Sequence, residues 1–253
     1  MPARAAAPSG AERRRSGREA VARGFDAASS WIQLASGQIP GGDRELRLLQ
    51  RGDDVSIVLD EAELMTNRFR ASERALATLA CARLRERPNP RILIGGLGMG
   101  FTLRGALDVL GPEASVVVAE LVPAVAEWAR GPLAATFDGA LDDPRVELRL
   151  EDVHRTVQSG QARFDAILLD VDNGPRGLTQ RDNDRLYDIW GLRRARFALR
   201  PGGVLGVWSG GPDRRFKARL KRAGFEVEEV RVHANGRESG RRHVLWFARS
   251  PDE

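Results

Sequence analysis

The sequence predicts an α/β fold: a Rossmann-like sheet, mostly parallel, with an antiparallel last strand. Three observations predict it. From residue 91 onward strand and helix patterns alternate, as parallel strands joined by crossover helices require. A short apolar run, Arg91 to Gly95, empties into Gly96-Leu97-Gly98-Met99-Gly100 and then into a helical pattern from Phe101 to Leu110. A second apolar run, Ser115 to Ala119, ends in an acid, Glu120.

The elements follow in order. Strands are expected at 91–95, 115–120, 145–150, 164–170 and 203–208, and helices at 99–110, 122–131, 153–159, 182–198 and 213–223. Phe225 to Val232 and His243 to Arg249 follow one another without a helix between them, the pattern of a closing antiparallel pair. Ahead of the sheet, Arg44 to Gln50 and Asp54 to Leu59 read as a hairpin turning at Arg51-Gly52-Asp53. A helix from Glu73 to Arg87 carries Leu76, Leu79, Ala80 and Leu84 on one face and stops at Pro88. Three regions result. Residues 1–28 form an Ala/Ser/Gly/Arg tail with too little apolar surface to order itself. Residues 29–70 form a small N-terminal β-hairpin region, and 71–253 the large domain.

Composition narrows the function classes. The chain has 253 residues, 42% hydrophobic and 30% charged, which describes a globule with a substantial core. One cysteine, Cys81, excludes an intrachain disulfide, and His154, His233 and His243 are scattered, so no metal site is expected. No apolar run is long enough to span a membrane, and residues 1–30 lack the apolar segment of a signal peptide, so the expected compartment is the cytoplasm. Arg214, Arg215, Lys217, Arg219, Lys221 and Arg222 crowd one helix. A solvated helix face is the simpler reading of that cluster; contact with nucleic acid or an acidic protein is the other.

In an open parallel sheet the ligand lies at the carboxyl ends of the strands. Those ends hold Gly96 to Gly100, Glu120, Glu151-Asp152, Asp170-Val171-Asp172-Asn173-Gly174-Pro175, and Trp208-Ser209-Gly210-Gly211. Glycines let a backbone pass close beneath a ligand, and an acid ending the second strand can accept from both ribose hydroxyls. The dinucleotide pattern G-x-G-x-x-G is absent, because the sixth position counted from Gly96 is Phe101. The spacing suits a nucleoside without a pyrophosphate, such as S-adenosylmethionine or a relative. Residues 174–186 form a polar stretch that would close over such a site.

From about Arg91 to the end, and more loosely from Leu46, the chain resembles the spermidine synthase family, the polyamine aminopropyltransferases. The carrying segments are Ile92-Leu93-Ile94-Gly95-Gly96, Ala119-Glu120-Leu121, Asp142-Asp143-Pro144-Arg145-Val146, Glu151-Asp152, Phe164 to Asp170, and Leu199-Arg200-Pro201-Gly202-Gly203. The resemblance implies a class I methyltransferase-type sheet behind a small N-terminal β unit. It also implies S-adenosylmethionine or its decarboxylated form as co-substrate, a small amine as acceptor, and self-association such as a homodimer. By the same resemblance the donor would lie on Gly96, Leu97, Gly98 and Gly100, with Glu120 at the ribose, Asp152 at the adenine amino group, and Leu121 and Val153 beside them. Asp170 would bind and deprotonate the acceptor amine, with Asp172 and Asn173 assisting. Glu73 would contact the acceptor by that resemblance; Tyr187, in the loop after the fourth strand, and Trp208, at the end of the fifth, are acceptor-contact candidates from their positions. The glycine segment departs from the family pattern in offering no carboxylate to a donor ammonium. Two other functions share these features: methyl transfer from S-adenosylmethionine, and nucleoside binding without turnover.

Overall fold

The strand that ends in the glycine segment, β5 (Arg91–Gly95), pairs in parallel with a strand on each side, which puts the turn at the middle of the sheet. The computed structural model describes residues 31–84, 87–171, 174, 184–237 and 240–252. The N-terminal tail, Asp172, Asn173 and most of the 174–186 stretch lie outside the described residues.

The large sheet has seven strands. Beside β5 lie β6 (Ser115–Glu120) and β7 (Val146–Leu150) on one side, and β8 (Phe164–Leu169) and β9 (Leu199–Ser209) on the other. β10 (Glu226–His233) and β11 (Arg242–Arg249) complete it, giving the order β10-β11-β9-β8-β5-β6-β7. β11 runs antiparallel to both neighbours, as the absence of a helix between the last two strands predicts. The chain builds outward from β5 in one direction and returns to build in the other, so a crevice opens between β5 and β8.

The N-terminal region is larger than the expected hairpin. β2 (Glu45–Arg51) and β3 (Asp54–Leu59) form that hairpin, but β1 (Ile32–Gln38) and β4 (Ala62–Thr66) extend it to a four-stranded antiparallel sheet. Both added strands carry irregular registers, between Gln33 and Ala35 and between Ile57 and Val58. A bulge interrupts the apolar alternation by which a strand is recognised in sequence.

Helices cover both faces of the large sheet. α1 (Ala71–Ala82), α2 (Phe101–Leu107) and α3 (Pro123–Arg130) precede the short α4 (Ala134–Phe137). α5 (Val153–Gln158) follows β7; the helix expected at 182–198 is two, α6 (Asp184–Tyr187) and α7 (Ile189–Ala198); α8 is Arg214–Arg222. Asp188 makes the break, its side chain capping α7 through the Gly191 N–H at 2.7 Å. One core packs α1 to α3 and the small sheet against Ile92, Ile94, Val116 and Val118; the other packs α5, α7 and α8 against Leu93, Val117, Ile167 and Leu169. Alternate residues of the same strands serve opposite faces, so these central strands are apolar throughout.

The far end of the sheet is pinned by Asp165. Its carboxylate accepts from Arg87 at 2.7 Å, Arg200 at 2.8 Å and the Arg91 N–H at 2.8 Å. In the Asp-Pro-Arg-Val segment, Arg145 forms a two-pronged pair with Asp143 and donates to the Leu110 carbonyl at 2.7 Å, closing the loop after α2. Among the described residues no helix is long and apolar enough to cross a membrane.

Candidate active site

Four strand exits, those of β5 to β8, bring the site residues to one rim. Beyond β5 the backbone takes left-handed conformations at Gly96 (φ +89°) and Gly98 (φ +50°). A Cβ on Gly96 would lie 2.6 Å from the Asp170 carbonyl oxygen, so the β5 and β8 exits touch only because it has none. A Cβ on Gly98 would lie 2.6 Å from Met65 Cε. The bare face of Gly98 is therefore covered by a side chain of the small sheet, and the Met99 N–H points at Met65 Sδ over 3.1 Å.

An open cavity of about 890 Å³ lies in front of this rim. Gly96, Gly98, Glu120, Leu121, Asp152, Val153 and Asp170 line its sheet side. Ile39, Leu46, Ile57, Leu64 and Met65 of the small sheet form the opposite wall. Its predominantly apolar wall with few convergent acids has the character of a small-molecule site.

Glu120 holds the two loops that frame the cavity. Its carboxylate accepts from the Leu97 N–H at 2.8 Å and the Val122 N–H at 2.7 Å. Burial raises its pKa, and the surrounding backbone N–H groups oppose that rise. Those groups are the N–H of Val122, Leu97, Gly98 and Leu121. Asp152 caps α5 through the His154 N–H at 2.8 Å and also lines the cavity.

Asp170 stands at the β8 exit, its N–H bonded to the Gly95 carbonyl at 3.0 Å. Thr102, in the first turn of α2, donates to its carboxylate at 2.6 Å. Desolvation raises the Asp170 pKa to about 6, although the Thr102 bond works the other way. Glu73 of α1 is the second acid: burial and then the Asp170 charge raise its pKa well above the ordinary carboxylate value. Its Oε2 is buried without a hydrogen-bond partner. Glu73, expected at the acceptor, is not among the residues that line the cavity.

Other expected residues stand elsewhere. Leu97 and Met99 are buried in the core, and only the Leu97 backbone reaches the site, through Glu120. Gly100 faces the Phe137 ring and does not line the cavity. Tyr187 is buried against Phe216, its hydroxyl 3.4 Å from the Val171 carbonyl. Trp208 is buried one layer behind, donating through Nε1 to Ser72 Oγ at 3.1 Å and packing edge-on against His243. Sequence reasoning misses the small-sheet wall and Thr102. Thr102 carried one usable signal, its place in the first turn of the helix after the glycines.

The strand order, the antiparallel β11 and the central glycine exit define a class I methyltransferase-type sheet, here carrying a second, N-terminal sheet. Comparison with known proteins narrows that class. No family model matches the chain. It is 30% identical over 206 residues to the polyamine aminopropyltransferase of Mycobacterium tuberculosis, covering 75% of this chain and 36% of the relative. A second polyamine aminopropyltransferase, from Korarchaeum cryptofilum, is 29% identical over 166 residues, or 66% of this chain and 46% of the relative. The chain thus spans about a third to a half of the length of these relatives. Among solved structures, spermidine synthase from Thermotoga maritima superimposes with a TM-score of 0.68 at 22% identity, over 87% of this chain and 73% of that one. The chain is a divergent relative of the polyamine aminopropyltransferases, with the fold of spermidine synthase.

Proposed function

We propose that this chain transfers an aminopropyl group from decarboxylated S-adenosylmethionine to a small amine. The observation that supports the reading is that three acids line one cavity: Glu120 and Asp152 across its floor, and Asp170 at its β8 end, with the buried Glu73 near enough to Asp170 to feel its charge. The first pair suits a nucleoside, whose hydroxyls and amino group donate hydrogen bonds. Asp170 suits an ammonium.

The donor would supply an electrophilic carbon beside a positively charged sulfur. Amines are protonated near neutral pH and cannot attack until they lose a proton. Asp170, with its pKa raised to about 6, is a stronger base than an ordinary aspartate yet still mostly ionised at pH 7. It would bind the ammonium, take its proton and leave the nitrogen lone pair facing the carbon. The N–C bond forms as the C–S bond breaks, and the C–S electron pair returns to sulfur as a neutral thioether. Thr102 fixes the Asp170 carboxylate through this step.

The test is to incubate the protein with a diamine and either decarboxylated or intact S-adenosylmethionine, following nucleoside products by chromatography. Methylthioadenosine formed from the decarboxylated donor, in proportion to alkylated amine, is the expected outcome. A methylated amine with S-adenosylhomocysteine from the intact donor would instead establish methyl transfer. Tight nucleoside binding without product from either donor would leave a non-catalytic binding role.

A further inference from the structure

The basic helix found in the sequence plays no part in the site above. α8 lies on the opposite core from the small sheet, and its first turns border a separate groove lined by Arg214, Arg215, Arg219, Glu229, Arg231 and Trp246. Two buried donors there lack acceptors. Trp246 is 1% exposed, and its indole Nε1 has no hydrogen-bond partner; the Nε of Arg219 is likewise buried and unpaired. An indole N–H and a guanidinium N–H can only donate, so both gaps call for an acceptor.

The charges around them favour an anion. Glu229 is already taken up by Lys217 at 3.6 Å and Arg231 at 3.3 Å. The Asp213 carboxylate caps α8, accepting from the Arg215 and Phe216 N–H groups at 2.8 and 3.0 Å. Arg214 and Arg215 are exposed and have no carboxylate partner among the described residues. The groove therefore combines unmatched positive charge with two orphaned donors.

We infer that this groove is a binding site for a phosphate group, held by Trp246 Nε1 and Arg219 with Arg214 and Arg215 at its mouth. A tetrahedral oxyanion offers several acceptor oxygens at once, and both the neutral indole donor and the arginines can use them. The phosphate could belong to a free phosphate compound or to a nucleic-acid backbone, which presents the same group. The site is independent of the amine-transfer reading.

The test is calorimetric titration of the full chain, at constant ionic strength, with inorganic phosphate, pyrophosphate and a single-stranded oligoribonucleotide. Saturable binding of at least one of them is expected, weakened about tenfold or more by Arg219→Gln and by Trp246→Phe. Trp246→Phe keeps the ring that packs on Phe216 and removes only the donor. Arg219→Gln, on the helix surface, keeps the test valid should the tryptophan variant fail to fold. Binding of phosphate and pyrophosphate identifies a free phosphate compound, whereas binding of the oligoribonucleotide alone identifies a backbone phosphate. No saturable binding of any probe, or binding that neither variant weakens, overturns the assignment.

Discussion

Thr102 and Asp170 form the shortest described hydrogen bond at the candidate active site, with the threonine hydroxyl donating to the carboxylate at 2.6 Å. The same hydroxyl lies 3.4 Å from the backbone carbonyl of Glu73, so one small side chain ties the helix after the glycine turn to both acids of the pair. Neutralising either acid is expected to separate stability from function. Asp170→Asn and Glu73→Gln should each raise the melting temperature of the ligand-free chain at pH 7, because each replaces a carboxyl that burial holds above its ordinary pKa. A gain on the order of 1–3 kcal/mol is expected from the Asp170 change. Both variants should lose acceptor affinity by tenfold or more. A loss of stability in both would contradict the reading of these acids as carboxyls that burial disfavours.

The pH dependence has a definite sign. The native pKa of Asp170, about 6, lies above its ordinary 3.8. Between those values the folded chain binds the extra proton, so this residue makes stability fall as pH rises from about 4 to 6. His243 acts oppositely. Burial, and then the nearby Arg241, lowers its pKa from 6.5 to about 4, so stability falls as pH drops through that window. Unfolding curves for Asp170→Asn between pH 4 and 7 should show a steeper rise with pH than the parent, as the opposing contribution disappears. The rate of amine transfer should rise through pH 6 in the parent.

Glu120→Gln tests the frame of the proposed nucleoside site. One of the two accepting oxygens becomes an NH₂ facing a backbone N–H, either that of Leu97 or that of Val122. A cost of about 1–3 kcal/mol in stability is expected, with at least tenfold weaker binding of methylthioadenosine by calorimetry. Unchanged nucleoside affinity would place the ligand elsewhere.

Gly98 and Met65 should be energetically coupled. Gly98→Ala carries a left-handed backbone cost and a collision with the thioether, about 2 kcal/mol or more together. Combining it with Met65→Ala relieves the collision but not the backbone cost. The double variant should be more stable than the sum of the singles by about 1 kcal/mol in a thermal or denaturant cycle. Strict additivity would mean the two residues do not meet.

Asp165→Asn isolates architecture from chemistry. It weakens the clamp on Arg87 and Arg200 at the end of the sheet away from the cavity. Because both arginines are partly exposed, a loss of about 2–4 kcal/mol is expected, with nucleoside affinity unchanged at temperatures where the chain is folded.

The large sheet was legible because its strands are short apolar runs separated by amphipathic helices, and β5, β6 and the antiparallel end required no tertiary information. The cavity's acids were legible for a related reason: Glu120, Asp152 and Asp170 each sit where a strand ends, and strand ends share one rim. The opposite wall was not. Bulges in β1 and β4 blur their alternation, and Met65 reads locally as one more apolar residue. Its place over Gly98 is a contact across 33 residues, set by the docking of two sheets. Trp208 also shows the limit of the strand-end rule. The rule located its backbone correctly, but the side chain turned inward to Ser72 and His243.

The covering of Gly98 by Met65 has a mechanical side. β4 ends at Thr66, a single 3-10 turn spans Asn67–Phe69, and α1 starts at Ala71 and carries Glu73 in its first turn. The roof over the glycine turn and the acid beside Asp170 are thus carried by two elements joined through that one short turn. A substitution that shifts the methionine is therefore expected to disturb the glutamate as well, across a connection of only a few residues.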